Sequence, residues 1–261
     1  MATTVPLILL PPSEGKALGG TGDPWKPGAM AIDLDDRRRR VIAALATAMR
    51  GTEAERAALL GVSGRTLVDA SAADRLVTKT PTLPAIERYT GVLYDGLDHR
   101  SLTPAQRRRL AAGVVIFSGL WGAVMAADPV PAYRLKMSAT LSKLGKLSTW
   151  WREPLTDALL ERARGRPIWN LLPKEHDAAW APPADREQYV VRFLDRQPDG
   201  SLVVVSHDNK SLKGALVRYL VAHPNARPAD LAGWRHPARY RYSARASKQD
   251  GATTIVGMVR R

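Results

Sequence analysis

The sequence predicts a mixed α/β fold with an α+β tendency: a single domain over residues 1–261, with flanking helices on a mixed, partly antiparallel sheet. Short apolar runs bounded by Gly and Pro alternate with helix-like patterns along the whole chain, and no repeat or linker interrupts them. The composition, 45 % apolar and 25 % charged, is that of a globular protein. We therefore expect one large core rather than a chain of modules.

The first element is a buried strand. Residues 5–10 (VPLILL) are entirely apolar and are followed by Pro11 and Pro12, which end a strand. Residues 17–32 are rich in Gly and Pro and are predicted to form a loop.

A helix-rich insert follows over residues 33–112 and could form a subdomain. A helix is predicted from Asp33, because acidic residues come first and apolar residues then recur at helical spacing. Two short helices are expected within 52–72, and further helices over 82–97 and 104–112.

The second half of the chain mixes both element types. VVIF (114–117) is a second buried strand, and residues 133–137 alternate as a half-exposed strand does. The remaining predictions are helices at 152–163 and 209–222, and strands at 167–171, 188–194, 201–206, 238–244 and 252–259.

Several classes of protein are excluded or disfavoured. The chain has no cysteine, which excludes disulfides and thiolate metal sites, and its five histidines show no metal-binding spacing. We predict no cofactor and no metal.

No apolar run reaches the roughly 18–20 residues of a membrane helix, and the N-terminal stretch lacks the basic start of a signal peptide. We expect a cytoplasmic protein without a membrane partner, and a monomer is favoured.

The charge balance indicates a polyanionic partner. Thirty-nine Lys and Arg residues face 25 Asp and Glu, which gives a formal charge of +14. A domain this basic favours DNA, RNA, nucleotides or an anionic membrane. The alternative is a GC-rich genome that uses arginine freely.

The segment 206–218 (SHDNKSLKGALVR) is a candidate anion site. It runs from the end of a strand into a helix, whose first-turn amides attract anions. The alternative is an ordinary amphipathic helix with a solvated basic face. The candidates are His207, Asn209, Lys210, Lys213 and Arg218. Lys210 and Lys213 lie opposite the apolar face of the predicted helix, with Arg218 at their edge.

Residues 59–70 form a candidate helix–hairpin–helix. In such a hairpin, glycines let the turn amides approach a DNA phosphate without reading sequence. The alternative is that the glycines serve packing alone. The candidates are Gly61, Ser63, Gly64 and Arg65.

Polar residues also gather at predicted strand ends. Ser13 and Lys16 have the S-x-x-K spacing, although Leu10 and Ala17 exclude a phosphate-binding Walker A loop. Open α/β sheets bind ligands at such ends, which raises an enzyme as the alternative function. The further candidates are Tyr89, Thr90, Ser118, Gly119, Arg134, Lys136 and Asn170.

Several segments together resemble one family. They are LLPPSEGK (9–16), ERYTGVLYDGL (87–97), FSGLWGAVMAADPVPAYRLKM (117–137), the Trp150–Trp151 pair, WNLLPKEHDAAW (169–180) and VVSHDNKSLKGALVRYL (204–220). In order and spacing they are similar to the YaaA family of peroxide stress proteins. The resemblance implies a cytoplasmic protein of the hydrogen peroxide response that helps keep free iron low and spares DNA and protein from oxidation. It also implies a basic cleft, a helix–hairpin–helix and binding of double-stranded DNA.

The family pattern is carried over residue by residue. Ser13 and Lys16 match its S-x-x-K, and Tyr89, Thr90 and Gly91 match its Y-T-G. Its central block matches Ser118, Gly119, Gly122, Tyr133, Arg134 and Met137, and its basic turn matches Lys210, Lys213 and Gly214. Asp208 departs from the pattern, since many relatives carry an aromatic or apolar residue there.

Three functions follow as hypotheses. The first is a stress protein that binds double-stranded DNA through phosphates, without sequence specificity and without chemistry of its own. The second is an enzyme acting on a nucleotide, a nucleobase or a phosphorylated small molecule in a pocket at the strand ends. The third, direct iron binding, has the least support because the ligand spacings are absent.

Overall fold

Thirteen strands and nine α-helices make up the regular structure of residues 5–205, 209–236 and 238–260, which the computed structural model describes. The strands are β1 (Leu7–Leu10), β2 (Leu83–Pro84), β3 (Val114–Ser118), β4 (Gly122–Met125), β5 (Pro129–Val130), β6 (Thr140–Leu141), β7 (Gly145–Lys146), β8 (Ile168–Asn170), β9 (Gln188–Arg196), β10 (Leu202–Val204), β11 (Tyr240–Tyr242), β12 (Lys248–Asp250) and β13 (Thr253–Arg260). The helices are α1 (Asp35–Ala48), α2 (Glu53–Leu60), α3 (Gly64–Arg75), α4 (Ala85–Arg88), α5 (Val92–Leu97), α6 (Pro104–Gly113), α7 (Leu147–Arg162), α8 (Lys174–Asp177) and α9 (Asn209–Ala222).

The central sheet has parallel strands in its middle and antiparallel strands at its margins. Its order is β11-β13-β9-β8-β1-β3-β4, with β10 added to β9 and β12 added to β13. Neighbours from β13 to β3 are parallel, whereas β4, β10, β11 and β12 pair antiparallel. This confirms the mixed, partly antiparallel sheet. Because β8, β1 and β3 are parallel neighbours, their carboxyl ends meet at one edge.

Burial explains why these strands form. All four residues of β1 and all five of β3 are buried, as expected for parallel strands covered on both faces. A single hydrophobic cluster extends from Leu7 to Met258 and includes residues of the helices. The chain therefore forms one domain around one core.

The insert between β1 and β3 is helical, as predicted. A capping box of Thr52 and Glu55 starts α2, and Gly61, at φ +64°, ends it. The helix α3 begins at Gly64, so the predicted pair of short helices around a tight turn is confirmed. Across the described ranges, none of the helices is long and apolar enough to cross a membrane.

Three predicted elements differ from the structure. The helix expected over 82–97 is divided into α4 and α5, because Tyr89 is extended and Gly91 has a φ of +100°. Residues 133–137 are not a strand; the Arg134 N–H donates to the Asp74 carboxylate instead of to a neighbouring strand. Helix α7 starts at Leu147 and not at residue 152. The sequence predicts the later start because proline is favoured in the first turn of a helix, but Pro154 lies in the interior of α7.

Part of the basic charge lies inside the protein. Arg38 is fully buried and donates to the carbonyls of Trp121 (3.1 Å) and Ala123 (3.0 Å) and to the Asp35 carboxylate (2.9 Å). Arg88 is also fully buried and donates to carbonyls that include those of Val130 and Ala17. These guanidinium groups connect loops and helices to the sheet, so they are not available to a polyanion.

We predict that Arg38→Met lowers the free energy of unfolding by about 3 kcal/mol, because two buried carbonyls and Asp35 lose their donor. Arg39→Met is the matched control on the same helix, since Arg39 pairs with Asp36 at the surface and should change stability by less than about 1 kcal/mol. Urea unfolding measures both variants. Equal losses would contradict the structural role of Arg38.

Candidate functional site

A small pocket opens at the carboxyl end of β1. It has a volume of about 100 Å³ and is lined by the segments 12–16, 133–136 and 175–176. The first segment follows β1, the second crosses over the end of β3, and the third follows β8. The parallel neighbours β8, β1 and β3 thus bring the three segments to one place, which is where α/β sheets bind ligands.

Lys16 supplies the pocket's central charge. Its Nζ donates to the Ser13 carbonyl at 3.0 Å and stands 4.4 Å from the centre of the Tyr133 ring and 5.5 Å from that of Tyr89. Burial lowers the pKa of Lys16 to about 8, although Asp74 opposes this shift. A lysine with this pKa is mostly charged at neutral pH, where it can bind an anion, and its neutral form, which can act as a base, becomes populated near pH 8.

Asp74 is the counterpart of Lys16 and is not among the residues predicted from the sequence. It lies on α3, is 2 % exposed and accepts the Arg134 N–H at 2.8 Å on one oxygen. Its Oδ2 is buried and has no hydrogen-bond partner among the described residues. Burial raises the pKa of Asp74 to about 7, against the opposing effects of the Arg134 N–H and Lys16. Its position seven residues after buried Leu67, on the same helical stripe, is the signal that could have identified it.

Three buried hydroxyl groups form a chain behind Lys16. The Tyr133 hydroxyl is 2.6 Å from Ser118 Oγ and 2.8 Å from the Tyr89 hydroxyl, and Ser118 Oγ accepts the Trp121 N–H at 3.0 Å. Burial raises the pKa of Tyr89 to about 12 and that of Tyr133 well above its ordinary value, so both stay protonated. Ser118 is fully buried and therefore positions Tyr133 rather than contacting a ligand.

The loop after α4 brings two further predicted residues to the pocket. Tyr89 forms an isolated bridge with Lys16, and the Thr90 N–H donates to the Gly15 carbonyl at 3.1 Å. A Cβ on Gly91 would lie 3.3 Å from Ser13 Oγ. The structure therefore brings Ser13, Lys16, Tyr89 and Thr90 together.

The outer rim of the pocket carries Arg134 and Lys136, with Glu14 between them. Arg134 Nη2 lies 2.9 Å from Glu14 Oε2, and Lys136 Nζ lies 3.4 Å from Glu14 Oε1. Burial opposes ionisation of Glu14, but Lys136 and Arg134 outweigh it and hold the pKa of that carboxyl below its ordinary value. The rim is thus two cations with one counter-charge.

The helical hairpin of α2 and α3 borders this rim. Arg134 Nε points to the Leu60 carbonyl at 3.4 Å, and a Cβ on Gly61 would lie 3.2 Å from Lys136 Nζ. In the turn, Ser63 makes no side-chain cap to the first-turn N–H groups of α3. Arg65 is 87 % exposed at its side chain and pairs with Asp69 at 3.1 Å. Of the hairpin candidates, Gly61 therefore adjoins the rim formed by Arg134 and Lys136, whereas Arg65 pairs with Asp69 on α3.

Two predicted residues serve the fold instead. A Cβ on Gly119 would lie 2.6 Å from the Leu135 carbonyl, so this glycine permits close approach of the chain, not of a ligand. Asn170 is 4 % exposed, donates to Asp177 at 2.9 Å and accepts the Leu172 N–H at 3.0 Å. Its amide is occupied in turning the chain after β8.

The shared basic face predicted on α9 is wrong. Lys213 is 8 % exposed and donates to the Leu171 carbonyl at 2.7 Å; burial lowers its pKa to about 8, with Asp177 opposing. Arg218 donates to the Asp98 carbonyl and Ser101 Oγ, on the loop after α5. The helix is enclosed on both sides, which the amphipathic pattern did not indicate.

Glycine contacts explain this enclosure. A Cβ on Gly214 would lie 2.0 Å from the Leu93 carbonyl, and one on Gly96 would lie 2.6 Å from the Ser211 carbonyl. Helices α5 and α9 therefore touch backbone to backbone.

Lys210 is exposed in the first turn of α9. His207 and Asp208, like the side chain of Asn209, lie outside the described residues.

His176 closes the pocket on the side of β8. It is 9 % exposed, and its buried Nδ1 has no partner in the described part of the chain. Burial lowers the pKa of His176 and Lys213 adds to the shift, whereas Glu175 opposes it.

Within 5–205, 209–236 and 238–260, no three His, Asp or Glu side chains are grouped to hold a metal ion.

We predict that acetic anhydride labels Lys16 with a pH midpoint near 8, since burial favours its neutral form. Asp74→Asn removes the carboxylate that favours the ammonium form, so the midpoint should fall further. Asp69→Asn, an exposed position on the same helix, should leave the midpoint unchanged. Mass spectrometry of the labelled peptide gives the profiles, and an unchanged midpoint in Asp74→Asn would refute the coupling.

Comparison with known proteins identifies relatives over most of the chain. Residues 7–246 match the family described as peroxide stress protein YaaA. A UPF0246 protein of Streptomyces coelicolor is 38 % identical over 250 residues, covering 94 % of this chain and 95 % of the relative. A UPF0246 protein of Corynebacterium efficiens is 37 % identical over 232 residues, covering 87 % of this chain and 89 % of the relative. One of Corynebacterium glutamicum is 35 % identical over 223 residues, covering 82 % of this chain and 84 % of the relative. The resemblance found in the sequence is thereby confirmed, and this chain belongs to the YaaA family of peroxide stress proteins.

Proposed function

We propose that this protein binds double-stranded DNA without sequence specificity and thereby helps protect DNA, and the proteins near it, from iron- and peroxide-driven damage. The observation that carries the proposal is the contact between the hairpin turn and the pocket rim, where Gly61 adjoins Lys136. Three residues after Gly61, helix α3 begins with first-turn N–H groups that have no side-chain cap from Ser63. That combination suits phosphate oxygens and carries no information about bases.

The pocket itself is too small to admit a duplex. Its volume is only about 100 Å³, whereas the major groove of a duplex alone is roughly 12 Å wide. A duplex would therefore lie across the hairpin and the rim. The formal charge of +14 would attract it from a distance, and affinity would fall steeply with salt.

Glu14 competes with phosphate in this arrangement. It occupies the place between Arg134 and Lys136 that a phosphate would take, and its side chain is 67 % exposed. A bound phosphate would displace the carboxylate from both cations. The proposal therefore predicts opposite effects: removing the charge of Glu14 should strengthen DNA binding, and removing the charge of Lys136 should weaken it.

We predict that Lys136→Ala weakens binding of a 24-base-pair duplex about eightfold at 0.1 M salt and lowers the salt slope by about 0.9, the loss of one phosphate contact. Glu14→Gln should raise the affinity. Fluorescence anisotropy over a range of salt concentrations measures all variants. The control is Arg164→Ala, an exposed cation before β8 at the opposite edge of the sheet.

The proposed function fails if the wild-type protein does not bind the duplex, or if its affinity is independent of salt. The proposed position fails if Lys136→Ala and Arg164→Ala weaken binding equally, because net charge alone would then explain the effect. A drop in affinity for Glu14→Gln would also contradict the competition.

A second candidate is an enzyme that acts on a nucleotide, a nucleobase or a phosphorylated small molecule. The observation that favours it is the enclosure of Lys16 and Asp74, both with pKa values moved toward neutrality, at a pocket large enough for a phosphate group. Here Lys16 would hold the anion or accept a proton, and the Tyr133 hydroxyl would stay neutral behind it.

We predict for this candidate that adenosine monophosphate or inorganic phosphate binds in calorimetry and that Lys16→Met abolishes the heat. Lys136→Ala, at the rim, should reduce the affinity only moderately. No heat from either compound in the wild-type protein would exclude a phosphate ligand in this pocket. Duplex binding by Lys16→Met, measured in parallel, separates the two candidate functions.

A further inference from the structure

A second basic feature lies at the carboxyl ends of β9 and β13, apart from the pocket. It is an open groove of about 960 Å³. Four arginines line it: Arg196, Arg241, Arg245 and Arg260. Asp195 is the one carboxylate among its described lining residues, so the groove carries a net charge of +3.

The single carboxylate is already engaged. Asp195 Oδ1 accepts the Tyr240 hydroxyl at 2.7 Å and pairs with Arg260 Nε at 3.0 Å. Arg260 also donates to the Tyr240 hydroxyl at 2.8 Å. This cluster fixes one wall of the groove, and it leaves the other three arginines without a carboxylate from Asp195.

Those three arginines have no ion pair with any described residue. Arg196 donates to the Gly200 carbonyl at 3.1 Å and Arg241 to the Tyr240 carbonyl at 3.3 Å. Arg245 is exposed, and neither a hydrogen bond nor an ion pair holds it within the described ranges. Guanidinium groups in this state keep their full attraction for anions, and their planar donors match phosphate oxygens.

The sheet places this groove on the same edge as the pocket. Strands β9 and β13 are parallel to β8 and β1, so all their carboxyl ends point the same way. Asn170 at the end of β8 pairs with Val190, and β9 continues to Arg196, so the groove lies roughly 20 Å farther along the strand direction. This offset corresponds to about six base pairs of duplex.

We propose that the arginine groove is a second contact for a nucleic-acid phosphodiester backbone, occupied by the same duplex that touches the hairpin and the rim. The inference rests on the proposed DNA binding and adds a contact that the family match does not cover in full, since that match ends at residue 246 and Arg260 lies beyond it. Cations spread along an open groove, at a distance from the rim, fit a polyanion better than a single small anion.

The first test removes charge from the groove. Arg196→Gln with Arg245→Gln should weaken binding of a 24-base-pair duplex roughly 60-fold at 0.1 M salt and lower the salt slope by about 1.8, the loss of two phosphate contacts. Both side chains are exposed, so circular dichroism should show an unchanged fold. The control, Arg108→Gln with Arg164→Gln, removes the same charge from exposed positions outside the groove.

The two proposals fail in different ways. If the groove variant binds like the control while Lys136→Ala still weakens binding, the groove proposal is wrong and the hairpin proposal stands. If only the groove variant loses affinity, the groove is the DNA site and the hairpin proposal is wrong. If the wild-type protein binds no duplex, both are wrong.

The second test identifies the partner directly. Phenylglyoxal modifies accessible arginines, and mass spectrometry reports which peptides react. A duplex should protect Arg196, Arg241 and Arg245, whereas phosphatidylglycerol vesicles and an acidic peptide at equal charge should not. Protection by the vesicles or the peptide in place of the duplex would overturn the assignment to nucleic acid.

Discussion

The hydrogen bond between Ser118 Oγ and the Tyr133 hydroxyl is the contact on which the site's architecture depends. It joins the carboxyl end of β3 to the segment 133–136, which has no strand to hold it. Gly119 lets that segment pass at van der Waals distance, and the Tyr133 ring then faces the Lys16 ammonium. Arg134 and Lys136 are carried on the same segment. This buried pair of hydroxyl groups, together with the Arg134 N–H bond to Asp74, holds the segment that lines the pocket and carries the rim.

The fold was largely predictable from the sequence because its strands are short, uninterrupted apolar runs. VPLILL and VVIF are apolar throughout, which favours strands covered on both faces, and the insert between them shows apolar residues at helical spacing. The strand-end position of Ser13 and Lys16 likewise led to the site. Buried polar groups were not predictable in this way. Asp74 and Lys213 look like ordinary surface residues of helices, and only packing between distant segments encloses them.

Net charge did not indicate which cations are exposed at the surface. Arg38 stands within four consecutive arginines, yet it is buried and tied to two carbonyls, and Lys213 is enclosed behind the strand ends. Among the exposed cations, those of the rim and of the arginine groove lie toward the carboxyl ends of the parallel strands.

The backbone contact between α5 and α9 has a mechanical consequence. Gly96 and Gly214 bring the backbones of the two helices into direct contact at these positions, with no room for a side chain. Helix α5 begins directly after the loop that contacts Ser13. A side chain introduced at either glycine would overlap the backbone of the facing helix, push the two helices apart and change the position of α5 next to that loop.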